Sequence, residues 1–99
     1  MKSTRQYELT VLFAPDLAPD QQKTTQDWVS TFIKEKGGEV EQVDVWGKKP
    51  LAYKIRKFED AVYVLYTFSV DPSAIKDLDT AVQQKEGVIR HLLVNILDR

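Results

Sequence analysis

Apolar and polar residues alternate from Gln6 to Phe13: Tyr7, Leu9, Val11 and Phe13 fall on one side, Gln6, Glu8 and Thr10 on the other, with Leu12 breaking the contrast. A period of two with aromatic and β-branched side chains predicts a strand over 5–13. The turn-rich segment that follows puts Pro19 at a first helical position, where its missing N–H costs nothing, and Asp20 at the positive helix end. There the period changes. Trp28, Val29, Phe32 and Ile33 form one apolar stripe, predicting a helix from Pro19 to Lys36 that is stopped by Gly37-Gly38. A second strand is predicted over Glu39 to Trp46, with Leu51 to Ile55 as its continuation. Gly47 and Pro50 lie between the two pieces and suit a bulge or an edge strand, not a central one. Ala61 to Val70 is apolar on both sides and is predicted to be a central strand. Asp71-Pro72 reads as an N-cap and first helical position, opening a helix to about Lys85 whose buried stripe is Ile75, Leu78 and Val82. Gly87 ends that helix, and Val88 to Leu97 is the last strand.

The order β-α-β-β-α-β predicts an α+β fold, with both helix stripes buried on one face of a four-stranded antiparallel sheet. This is the ferredoxin-like arrangement. Right-handed crossovers then place the first and third strands in the centre and the second and fourth at the edges. The open face of that sheet is expected to carry Val64, Tyr66 and Phe68, an apolar surface inviting a partner. Residues 1–99 are read as one domain, with no internal repeat, linker or low-complexity segment.

Composition narrows the function classes. The 99 residues are 42% hydrophobic and 29% charged, as in a soluble globular protein. The absence of cysteine excludes disulfides, thiolate metal sites and cysteine nucleophiles. No apolar run approaches a membrane span, and the N-terminal residues lack a signal-peptide core, so an intracellular location is expected. Catalysis finds little support. His91 is the only histidine and sits inside the last predicted strand. Asp77 and Asp79 point to different helix faces and are expected to be solvated, while Glu39, Glu41 and Asp44 read as edge-strand guards against aggregation. No metal-ligand set or phosphate-cradling glycine spacing appears, and no cofactor or small-molecule substrate is expected.

What remains is a cationic strip. Trp46 to Lys57 contains five of the fourteen Lys and Arg residues and no acid, on a chain whose formal net charge is −1. Lys48, Lys49, Lys54, Arg56 and Lys57 bracket Tyr53. They are candidates for RNA phosphate contacts, local because bulk attraction is absent; the same lysines also suit a solvated edge. Tyr53 either stacks on a base or packs half-buried against the sheet, and Trp46 is expected to pack. Arg90, Lys2 and Arg5 are further candidates for the positive surface. The third strand lacks the basic-Gly-aromatic signature of the common single-stranded RNA module, so recognition of that kind is not expected.

Several residues in order carry a family resemblance: Tyr7-Glu8, Pro15-Asp16, Trp46-Gly47 with two bases, Leu51-Ala52-Tyr53 with Ile55, Tyr63-Val64-Leu65, and Val88-Ile89-Arg90. The chain resembles the bacterial small-subunit ribosomal protein S6 family over essentially its full length. The resemblance implies a non-catalytic structural protein, cytoplasmic and ribosome-bound, which pairs with ribosomal protein S18 and with it binds the central domain of the small-subunit 16S rRNA. Two departures stand out: Lys54 occupies a position where the family often has proline, and Pro50 one more often polar or basic. Many relatives continue into a C-terminal tail beyond the position of Asp98-Arg99, and tail contacts are not carried over. Two other readings fit the same topology. One is a protein-interaction domain without RNA binding. The other is an acylphosphatase-type enzyme, for which the only asparagine, Asn95, lies in the final strand.

Overall fold

The computed structural model describes residues 4–96. Its elements are β1 (Arg5–Phe13), α1 (Pro19–Glu35), β2 (Glu39–Ile55), β3 (Phe58–Val70), α2 (Ile75–Gln84) and β4 (Val88–Asn95), with a short 3-10 turn at Pro72–Ala74. The sheet order is β2-β3-β1-β4, every neighbouring pair antiparallel, so the edge strands are the two expected ones. Both helices pack on one face. The predicted end of the last strand at Leu97 lies outside the described residues.

The alternation in β1 has the expected consequence. Tyr7, Leu9, Val11 and Phe13 are buried against the helices, with Val29 and Ile33 of α1 and Leu78 and Val82 of α2 opposite them. One helix boundary shifts for a local reason. Asp71 caps the 3-10 turn, accepting from the Ser73 N–H at 2.9 Å, and α2 starts only at Ile75. The second strand and its predicted continuation form one long edge strand, as expected, with register shifts at Val40/Gln42, Val45/Gly47 and Pro50/Ile55 absorbing the glycine and proline without ending the ladder. Gly47 supplies the needed positive φ of 86°.

The side assignment of β3 is the main correction. Val64, Tyr66 and Phe68 are fully buried under the helices and do not form the open face. Being apolar on both sides, this strand offers no contrast from which a face can be read. Register decides instead: Val64 pairs with Val11 and Tyr66 with Leu9, both core residues, which leaves Tyr63, Leu65, Thr67 and Ser69 on the open face. The Tyr66 hydroxyl crosses the core and donates to the Gln26 carbonyl at 2.9 Å.

Gly38 marks a close approach between the end of α1 and β3. A Cβ there would stand 2.8 Å from both the Ser69 carbonyl oxygen and Ile33 Cγ2. The Gly38→Ala variant is therefore expected to lose about 1–3 kcal/mol of stability, measured as a lower denaturant midpoint with an unchanged slope.

Candidate nucleic-acid interface

The far half of the β2–β3 hairpin does not continue the plane of the sheet. Pairing runs to Pro50 opposite Asp60, is interrupted, and resumes only at Ile55 opposite Phe58, next to the turn at Arg56 and Lys57. Leu51, Ile55, Phe58 and Tyr63 pack with Leu12 and Leu17 against a second buried cluster of Ala14, Ala61 and Ile89. Burying those apolar side chains bends the hairpin tip over the open face towards β4. The Tyr53 hydroxyl thereby accepts from Arg90 Nη1 on the opposite edge strand, at 3.4 Å. Beneath this bridge lies a groove of about 340 Å³ whose walls include Leu12, Leu51, Tyr53, Ile55, Tyr63 and Leu92.

The cations sit on this curled ribbon. Lys49 pairs opposite Ala61 and so shares the open-face side with Tyr63, whereas Lys48, opposite Val62, takes the other side. All five strip cations are exposed. Lys48 faces Asp60 Oδ2 at 4.0 Å, a long surface pair that leaves its charge largely available. Lys57 lies over the Phe58 ring, 5.5 Å from its centroid. Lys49, Lys54 and Arg56 form no ion pair among the described residues. Arg56 and Arg90, distant in sequence, line a common polar hollow of about 310 Å³ with Gln83 and His91. Arg5 stands at the other end of β1, opposite Val70, away from the hairpin tip, so the structure does not gather it with the strip. Lys2 lies outside the described residues.

Arg56 has φ 56°, a left-handed conformation that a non-glycine residue adopts at a cost. Arg56→Gly is expected to stabilise the fold by roughly 0.5–1 kcal/mol after allowing for glycine's greater unfolded-chain entropy. A thermal midpoint raised by a few degrees is the readout.

The open face is electrically divided along its length. At one end Glu41 accepts from Gln6 Nε2 at 2.9 Å and from Ser69 Oγ at 2.6 Å, and Asp44 stands opposite Leu65. At the other end are the groove and the cations. Glu41 thus ties three strands together, a role the sequence reading did not assign. The helical acids are solvated as expected and also take partners: Asp77 pairs with Lys36 at 3.3 Å, and His91 Nε2–H donates to Asp79 Oδ1 at 2.7 Å, fastening β4 to α2.

Both aromatics in the strip differ from the packed readings. Tyr53 is 67% exposed, held at its tip by Arg90. Trp46 is 48% exposed and belongs to neither buried cluster, although it was expected to pack. A tryptophan directly before a bulge glycine was the available signal, since the bulge re-aims the side chain away from the regular pleat. Gln83 and His91 were missed as lining residues because only the bent hairpin brings them beside Arg56.

Comparison with known proteins identifies the family. Residues 6–95 match the model of the family described as Ribosomal protein S6. The chain is 37% identical over 90 residues to the small ribosomal subunit protein bS6 of Clostridium acetobutylicum, covering 91% of this chain and 95% of that protein. It is 31% identical over 90 residues to bS6 of Desulforamulus reducens, with the same coverages of 91% and 95%. The crystal structure of 30S ribosomal protein S6 from Thermotoga maritima superposes with a TM-score of 0.91 at 24% identity, covering 97% of this chain and 91% of that one, a likeness of fold. The chain therefore belongs to the bacterial ribosomal protein S6 family, non-catalytic structural components of the small ribosomal subunit.

Proposed function

We propose that this protein binds the central domain of small-subunit rRNA through its curled β2–β3 hairpin, cooperatively with ribosomal protein S18, as a cytoplasmic, ribosome-bound subunit. The phosphate contacts are assigned to Lys48, Lys49, Lys54, Arg56, Lys57 and Arg90, with Tyr53 beside them; Arg5 lies apart from this surface. One observation carries the reading. Two arginines, Arg56 in the hairpin turn and Arg90 in β4, line one hollow, and neither has an acidic ion-pair partner among the described residues. Converging unpaired cations repel each other, and an anion placed between them removes that penalty. The net charge of −1 accounts for the cooperativity, since the strip alone grips weakly and a partner must contribute further attraction.

The apolar groove beneath Tyr53 and Arg90, with Leu92 63% exposed at its rim, favours a protein contact close to the RNA contact. The test is nuclease or chemical footprinting of small-subunit rRNA with this protein, with and without S18. Protection that appears only with both proteins supports the reading. Binding of S18 with no protected nucleotide would assign the whole surface to protein interaction.

A further inference from the structure

Trp46 belongs to neither buried cluster, yet it is braced by a neighbouring ring. Its ring stacks on Tyr63 of β3 with centroids 6.4 Å apart and planes 11° from parallel, and it remains 48% exposed. The other tryptophan behaves differently. Trp28 is partly buried against the core, packs on Phe32 at 5.5 Å, and is covered by Lys85 Nζ at 4.8 Å. An exposed indole braced on one face by a parallel ring is a preorganised stacking surface. It loses little conformational freedom when a second planar group is added.

Its surroundings choose the kind of planar group. Lys49 stands opposite Ala61, on the same side of β3 as Tyr63, while Asp44 lies on the other flank opposite Leu65. An anion joined to the stacked ring is drawn towards Lys49 and repelled from Asp44. We propose that Trp46 is the stacking platform for one unpaired nucleobase of the bound RNA, whose adjoining phosphate rests on Lys49. This inference rests on the RNA-binding reading and adds a base-contacting site to it. Stacking on an aromatic ring is sequence-tolerant, because every base has a π-face, and it contributes affinity without releasing counterions.

The two kinds of contact are therefore separable by salt. With a small-subunit rRNA transcript and S18, Trp46→Ala is expected to weaken binding about tenfold, leaving the slope of log affinity against log salt and the melting temperature unchanged. Trp46→Phe should retain most of the affinity. Lys49→Ala should instead make the slope shallower by about 0.7–0.9. A second readout uses Trp28→Phe, which leaves Trp46 as the only indole in the chain. Its emission should be quenched when the transcript is added. Wild-type affinity in Trp46→Ala, or emission unchanged by RNA, overturns the stacking site while the RNA reading stands. Quenching by S18 alone would assign the ring to the protein partner, and unfolding of Trp46→Ala would assign it to structure; either outcome overturns the proposal. If the wild-type protein with S18 protects no RNA, the RNA reading fails and the stacking site fails with it.

Discussion

Replacing Lys49, Lys54, Arg56 and Lys57 together by alanine is expected to lower affinity for small-subunit rRNA by roughly a hundredfold or more at 0.1 M salt. The magnitude follows from counterion release. Each cation that neutralises a phosphate contributes about 0.7–0.9 to the slope of log affinity against log salt, so four contacts account for a slope near −3. The substitution should make the slope shallower by about 3 as affinity falls, leaving the part that Lys48 and Arg90 contribute. Stability should change little, because these side chains are exposed and take no ion-pair partner among the described residues. Affinity measured by filter binding at several salt concentrations, beside thermal unfolding of the same variant, separates the two effects. A variant that binds less well with the wild-type salt slope would place the phosphate contacts elsewhere. The bent hairpin is the reason for treating the cations as a group. Were β2 and β3 to continue the sheet plane, Arg56 and Arg90 would not share a hollow.

The largest effect on stability is expected at Tyr66. Its ring is fully buried in the middle of the sheet, and its hydroxyl donates to the Gln26 carbonyl of α1. Tyr66→Ala should cost about 4 kcal/mol, as for other large aromatic truncations in cores. For a domain of this size that corresponds to a melting point lower by roughly 20 °C. Tyr66→Phe keeps the ring and removes one hydrogen bond, a loss of about 1 kcal/mol. The hydroxyl also carries a pH signature. Burial, with the Asp27 carboxylate nearby, raises its pKa above the ordinary 10.0. The folded protein then retains a proton that the unfolded chain releases as pH passes about 10. The contribution is full below that pH, and stability falls as pH rises above it. Denaturant titrations from pH 8 to pH 11 should show wild-type stability declining more steeply than that of Tyr66→Phe. Parallel declines would mean that the buried hydroxyl does not govern the alkaline limb.

The comparison of Tyr66 with Trp46 shows what a linear pattern conveys. Both are large aromatics in strand-like surroundings. Tyr66 was read as open-face and lies in the core, whereas Trp46 was expected to pack and lies at the surface. In β1, where one side is polar and the other apolar, the assignment to core or surface followed directly from alternation. In β3 both sides are apolar, and alternation carries no sign. In β2 the register shifts break the period, so parity counted from Glu39 no longer holds at Trp46.

By itself the sequence determined the order of elements, the central and edge strands, the cationic strip and the family resemblance, because each depends on local period, turn chemistry or charge along the chain. Only the tertiary structure decided which face of β3 is buried, where the hairpin bends, and that Arg56 shares a hollow with Arg90 while Arg5 stays apart. Those outcomes depend on register between strands and on the burial of Leu51, Ile55 and Phe58 against residues far away in sequence. Interactions of that kind leave no period to read, since the distance along the chain says nothing about the distance across the sheet.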